Sequence, residues 1–232
     1  MNFLSLDDES TGMKNESSLS STIWSGVLLF TVFFTVFIVA LFPVPWHKYL
    51  YKAGFTVIYI SAIMNLDKHR REVIFFTVLV FVANWTSGFW DLEIVSAISK
   101  ILNMAFFLYV VGALIKQIAR SKTVNSRVIA ESILGYLLIG IVYAILVALS
   151  GQLDANGYNF HAGGKGGALI AANFSQDLYY TFITMATVGY GDMLPTRPYT
   201  QSLATLIGIT GQLYIGIIIA MLVGKFLSQK TE

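Results

Sequence analysis

The sequence predicts an all-α membrane protein with six transmembrane helices and a short re-entrant helix between the fifth and the sixth. The 232 residues are 56% hydrophobic and only 12% charged, whereas a soluble domain carries about 25% charged residues. Apolar runs long enough to cross about 30 Å of hydrocarbon recur along the chain. Between the last two runs lies an apolar stretch that is too short to cross.

Composition also excludes several classes of function. The formal net charge of +2 is too small to indicate a nucleic-acid partner. The chain has no cysteine, which excludes disulfides, thiolate zinc sites and a cysteine nucleophile. His47, His69 and His161 do not match a metal-ligand spacing. No predicted span holds a nucleophile–base pair, so we do not expect an enzyme.

The first predicted span covers residues 23–44, where Pro43 and Pro45 end the helix. It is too long for the apolar core of a signal peptide, and the preceding residues 7–9 are acidic rather than basic. We therefore expect a retained span.

The other five spans are predicted at residues 49–66, 73–90, 92–118, 128–149 and 198–227. The second span is the weakest, because the charged end of Lys52 must extend to the membrane interface. Pro198 is suited to the first position of the last helix.

Basic residues set the expected orientation. They concentrate in the links after spans two and four and near the two ends of the chain. The positive-inside rule therefore predicts that both termini are cytoplasmic. We expect the membrane to be the cell (plasma or inner) membrane. The basic run at residues 67–71 has two interpretations, an orientation signal or a site for anionic lipid.

The segment between spans five and six begins with a polar loop at residues 150–172, which we interpret as a flexible extracellular turret. Asn173 is suited to cap a following helix, with Gln176 bonding back to it. That helix would end at Ala186. Because it is too short to span, its negative C-terminal end would lie inside the membrane and favour a cation there.

The next residues, 187–192, have the sequence Thr-Val-Gly-Tyr-Gly-Asp. Irregular backbone at membrane depth is tolerated only inside protein or beside water. Gly189 and Gly191 permit positive φ, so that successive carbonyls turn to one side. A stack of carbonyl oxygens can replace the water around a bare cation.

The string from Thr184 to Asp192 resembles the selectivity filter of potassium channels of the pore-loop (tetrameric cation channel) superfamily. Tandem aromatic residues, Tyr179 and Tyr180, precede it, and Gly211 in span six matches the hinge glycine that the family often carries. The resemblance covers about residues 128–227, less than half of the chain.

The resemblance implies a role for each matched residue. The filter would be formed by Thr187, Val188, Gly189, Tyr190 and Gly191. K⁺, the transported ion, would bind at the first four of these, and no organic cofactor is expected. The Tyr190 ring would pack behind the filter. Filter support would come from Asp192, Tyr179, Tyr180 and Thr184, with Tyr179 donating a hydrogen bond to Asp192.

The resemblance also implies an assembly and a division of the chain. Four chains would form a homotetramer among membrane lipids, with no nucleic-acid or soluble protein partner. Residues 1–22 would be a cytoplasmic tail, residues 23–122 a four-helix peripheral domain that is voltage-sensor-like but uncharged, and residues 123–232 the pore domain. We expect no cytosolic regulatory domain.

Span four lacks the regular basic residues of voltage-gated relatives. Residues 101–115 carry no charge, and Lys100 alone lies near the transmembrane electric field. Lys100 has three interpretations: a lone voltage sensor, a partner of Glu93, or a lysine whose ammonium lies at the outer membrane interface. We therefore expect little voltage dependence. Membrane tension, lipid, pH and constitutive leak all remain as possible stimuli.

Span six carries a stripe of residues that we predict to line the cavity and form the gate: Gln212, Ile215, Ile219, Val223 and Leu227. These positions share one helix face, and a ring of the apolar members would block ions by dewetting. The alternative is that the stripe has no meaning, because every face of a membrane helix is apolar. The alternative functions are a poorly selective cation channel and a secondary cation transporter.

Overall fold

A computed structural model describes residues 23–65, 70–86, 93–121, 123–160 and 174–229. The predicted N-terminal tail, the glycine-rich part of the turret and the cap at Asn173 lie outside these residues. So do part of the basic run at 67–71 and the side chain of Glu93.

Seven helices and one pair of short strands make up the described residues. The helices are α1 (Ile23–Leu41), α2 (Val44–Asn65), α3 (Arg70–Thr86), α4 (Glu93–Arg120), α5 (Ser126–Leu153), α6 (Phe174–Met185) and α7 (Pro198–Gln229). The strands are β1 (Tyr158–Phe160) and β2 (Met193–Pro195). Of the described helices, four are long and apolar enough to cross a membrane, namely α1, α4, α5 and α7.

The boundary between the first two helices differs from the prediction. α1 ends at Leu41 and α2 begins at Val44. The first helix ends because Phe42 is extended before Pro43. The second can begin early because Pro45 occupies its first turn, where a missing N–H costs nothing. The last part of α1 was not predicted either, since residues 34–38 form a π-helix and residues 39–41 a 3₁₀ turn.

Consecutive helices from α2 to α5 run in opposite directions. The beginning of α2, the end of α3, the beginning of α4, the end of α5 and the beginning of α6 line one common cavity. We call this the turret end. At the opposite end, Gln117 of α4 bonds to Glu131 of α5, and Lys225 of α7 bonds to the last carbonyls of α4.

The peripheral helices pack directly on the pore-side helices of their own chain. The link between α4 and α5 is only a few residues long, and Asn125 caps α5 by accepting a bond from the amide of Val128. One buried core contains residues of α1, α2, α3, α4 and α5, and within it Phe55 and Tyr59 of α2 pack against Phe107 of α4. A second core joins α5, α6 and α7.

The turret contains a small antiparallel ribbon that the sequence pattern did not indicate. β1 pairs with β2 so that Asn159 lies opposite Leu194. The ribbon is fastened by a bond from the Thr200 hydroxyl to the Gly157 carbonyl, 2.8 Å long, and by the ion pair of Arg197 with Asp154, 3.0 Å long. It holds the segment after residue 192 against the end of α5.

Candidate functional site

The helix α6 is a half-helix that ends inside the bundle. Its 12 residues extend about 18 Å, and its buried Leu178 and Thr181 lie near its centre. Near its C-terminal end, the ring of Phe182 packs against Gly140 and the carbonyl of Met185 packs against Gly211. Gly140 and Gly211 lie near the middle of α5 and α7, so the chain enters from the turret end and turns at mid-depth.

The segment after α6 has an alternating backbone. Thr187, Gly189 and Gly191 have φ angles of 60°, 53° and 78°, whereas Val188 and Tyr190 between them are not among the residues with positive φ. Alternation of this kind rotates successive peptide planes so that their carbonyl oxygens face the same side. The positive φ at both glycines was expected, but that at Thr187 was not, because a β-branched residue seldom adopts it.

The end of α6 holds the first residues of this segment in place. The amides of Val188 and Gly189 both donate to the Ile183 carbonyl, at 2.8 and 3.2 Å, and the Thr187 amide donates to Thr184 at 3.0 Å. Within the described chain, no backbone amide donates to the carbonyl oxygens of residues 187–190. The first three amides of the segment are therefore satisfied by α6, while these carbonyl oxygens remain available to a ligand.

Side chains fix the far end of the segment. The Tyr179 hydroxyl donates to one carboxylate oxygen of Asp192 at 2.7 Å, the bond that the resemblance implies, and the Met193 amide donates to the other at 3.1 Å. Tyr180 lies apart from this pair, packed edge-on against Tyr158 of β1 with ring centroids 5.2 Å apart.

Two predicted supports have a different place in the single chain. The Thr184 hydroxyl donates to the Tyr180 carbonyl within α6, at 2.7 Å. The side chain of Tyr190 is 72% exposed and that of Val188 is 49% exposed. The packing that we expected behind the Tyr190 ring is therefore not supplied by its own chain.

One face of α7 is buried against α5 and α6, and the predicted gate stripe lies on another. The buried positions are Ile207, Gly211, Tyr214 and Ile218. Tyr214 donates its hydroxyl hydrogen to the Ser132 carbonyl of α5 at 2.7 Å. The stripe residues are all exposed in the single chain: Gln212, Ile215, Ile219, Val223 and Leu227. They are offset by roughly a quarter turn or more from the buried face.

Gly211 has a packing role that the sequence did not reveal. We expected a hinge, but α7 is one continuous helix through this position. A Cβ atom added at Gly211 would lie well under 3.0 Å from the Met185 carbonyl oxygen. The glycine therefore allows the end of α6 to approach the backbone of α7.

Lys100 has an electrostatic partner other than the one considered from the sequence. It lies half-buried in α4 and interacts with Asp177 in the first turn of α6, a carboxyl-bearing side chain that is only 2% exposed. Sequence reasoning missed Asp177, although an acidic residue inside a predicted membrane segment is a signal of function.

A second missed group joins three helices at the end opposite the turret. The ammonium of Lys225 in α7 donates to the carbonyls of Ile118, Ala119 and Ser121 at the end of α4, the last two at 3.0 and 2.6 Å. Nearby, Glu131, 1% exposed, accepts bonds from Gln117 and Arg127. A cation on the C-terminal carbonyls of a helix is favourable, because it opposes the negative end of the helix dipole. The only sequence signal was a lone charge in an apolar helix.

Residues 133–228 match a family model described as "Ion channel". The match covers less than half of the chain and includes α6, the alternating segment, most of α5 and nearly all of α7. It supports an ion channel of the pore-loop type and, with the long apolar helices, a multi-pass membrane protein that transports ions. Neither the curated proteins nor the solved structures give a significant match.

Proposed function

We propose that this protein is a potassium-selective channel whose filter is formed by residues 187–191. The observation that carries the proposal is the alternating backbone, with positive φ at Thr187, Gly189 and Gly191. Carbonyl oxygens that face one side and accept no backbone bond are suited to replace the hydration shell of a bare cation. The negative end of the α6 dipole, at mid-depth, favours the same cation.

The channel is proposed to be a homotetramer. One chain supplies carbonyls to only one side of an ion, so several copies must surround a common axis, and closed cyclic symmetry meets this need. The exposure of Tyr190 in the single chain supports this assembly, because a neighbouring copy would supply the packing behind its ring that its own chain does not.

Six spans with both termini in the cytoplasm complete the proposed architecture. The 22 residues of α2 and the 17 residues of α3 extend about 33 and 26 Å, and both run between the same two ends as α4 and α5. The turret end is then extracellular, because the links with the most basic residues lie at the other end.

The proposed gate is the apolar ring of Ile219 and Val223, with Gln212 beside the hydrated ion below the filter. Voltage dependence is expected to be small, because Lys100 is the one basic residue in the turret-end half of α4. The tie between Lys225 and the end of α4 gives the peripheral helices a direct contact with the gate segment of α7.

The test is flux from liposomes that contain the purified protein and a potassium gradient, repeated as sodium replaces potassium. We expect potassium flux that sodium does not support. The test variant is Gly189→Ala, which we expect to lower potassium flux: a Cβ there meets no atom of its own chain within 4 Å, but alanine at φ +53° costs about 1–2 kcal/mol.

The outcomes separate the candidate functions. Equal sodium flux would identify a poorly selective cation channel, and flux that requires a second coupled ion would identify a transporter. Flux that is unchanged by Gly189→Ala would show that ions do not pass residues 187–191.

A further inference from the structure

A second candidate site lies away from the filter, in the cavity at the turret end. Its volume is about 480 Å³, within the range that holds a small molecule. The walls come from α2, α3, α4 and α5, and Phe174, the first residue of α6, closes one side. The cavity therefore touches both the peripheral helices and the half-helix that leads to the filter.

The cavity is basic. Lys48, Lys52 and Lys100 line it, and no acidic side chain is among its described lining residues. Lys48 and Lys52 are one helical turn apart, close enough to repel each other. Within the part of the chain that the structure describes, neither of the two forms a salt bridge or donates a hydrogen bond.

Among the described residues, the nearby counter-charge is small. Asp177 interacts with Lys100, which leaves Lys48 and Lys52 without an acid to offset them among the described residues. Lys52 is half-buried whereas Lys48 is exposed, so the two like charges lie at the mouth of the cavity and repel each other there. A bound anion removes that repulsion.

The rest of the lining indicates what kind of anion fits. Ser96 and Ser99 of α4 add hydroxyl groups close to the lysines, and the remaining lining is partly polar and partly an apolar wall; the polar residues are His47, Tyr51, Asn84 and Asn103. That wall consists of Val44, Phe55, Ile145, Ala148 and Phe174. The three lysines lie within about two turns, or roughly 10 Å, of the turret ends of their helices, a depth close to the boundary between headgroups and acyl chains.

We propose that this cavity binds a phosphate-bearing anion, with the phosphate held by Lys48 and Lys52. Lysine ammonium groups bind phosphate as point charges, and the serine hydroxyls are further donors. An anionic phospholipid headgroup and free phosphate share this chemistry. The bound anion would contact α2 and α4 beside the first residue of α6, so that its binding can affect the position of α6.

The test measures ligand binding by thermal stability of the full chain in neutral detergent, which does not depend on conduction or selectivity. The probes are dihexanoyl phosphatidylglycerol, dihexanoyl phosphatidylcholine and inorganic phosphate. A ligand that binds only the folded state raises the Tm with its concentration. The variants are Lys52→Gln and Lys48→Gln, and the control is Lys116→Gln, an exposed lysine at the far end of α4.

We expect phosphatidylglycerol to raise the Tm of the parent and of Lys116→Gln. In Lys52→Gln and in Lys48→Gln, we expect the affinity for phosphatidylglycerol to fall about tenfold. If inorganic phosphate alone gives the same shift, the site takes free phosphate. If only phosphatidylglycerol does so, it takes lipid. An equal shift from phosphatidylcholine, or an undiminished shift in both Lys52→Gln and Lys48→Gln, would overturn the proposal.

Discussion

Gly211 offers a sharp test of how the half-helix α6 is held. Alanine at this position would force its Cβ against the Met185 carbonyl oxygen and carbon, backbone atoms that cannot rotate away. Overpacking of this kind costs about 1–3 kcal/mol. Alanine also gains about 1 kcal/mol over glycine as a helix former, so we expect Gly211→Ala to be neutral to moderately destabilising by itself.

Two other glycines of α7 isolate the steric cost. A Cβ at Gly208 would lie 3.8 Å from the Thr184 carbonyl oxygen, an ordinary contact, and one at Gly216 would meet no atom of the chain within 4 Å. Both substitutions gain the same helix propensity. The difference between Gly211→Ala and these controls is therefore the steric term, about 1–3 kcal/mol, or several degrees in Tm for a domain of this size.

The assay is thermal unfolding of the purified protein in detergent, with liposome flux on the same variants. Because Met185 is the last residue of α6 and only Ala186 separates it from the proposed filter, Gly211→Ala is also expected to lower the ratio of potassium to sodium flux. Equal Tm and equal selectivity for the three variants would refute the packing role. Unchanged Tm with a lower open fraction would favour the hinge.

Four further predictions concern conduction. Tyr190→Asp should cut the potassium-to-sodium flux ratio, which reversal potentials measure, and an unchanged ratio would exclude this ion path. Recordings should give an effective valence of at most about four elementary charges per channel, one for each Lys100 in the tetramer, and a larger value would contradict the absence of a sensor. Lys225→Gln removes three bonds to the end of α4, so it should shift the open fraction without altering selectivity, as single-channel recording would show. Ile219→Asn should raise the open fraction at rest, whereas Ile217→Asn should mainly lower expression. If the open fraction of Ile219→Asn equals that of the parent, the gate is not at Ile219.

The sequence alone was sufficient wherever a property depends on neighbouring residues. Four of the predicted spans match long apolar helices, because the length of an apolar run needs no knowledge of the rest of the chain. The glycines of the filter segment specified positive φ for the same local reason. The boundary near Pro43 was misplaced, because the two prolines permit either a longer first helix or an earlier second one.

What the sequence by itself determined is the class of protein, helical and multi-pass, together with four long apolar helices and the positive φ of Gly189 and Gly191. Only the tertiary structure decided which distant residues meet. Lys225 meets the end of α4, where Ile118 is 107 residues away in the chain, and Gly211 meets Met185. The physical reason is that helix packing sets these distances. An apolar pattern states that a face will be buried, whereas the position and rotation of each helix against its neighbours fix which polar groups share a cavity.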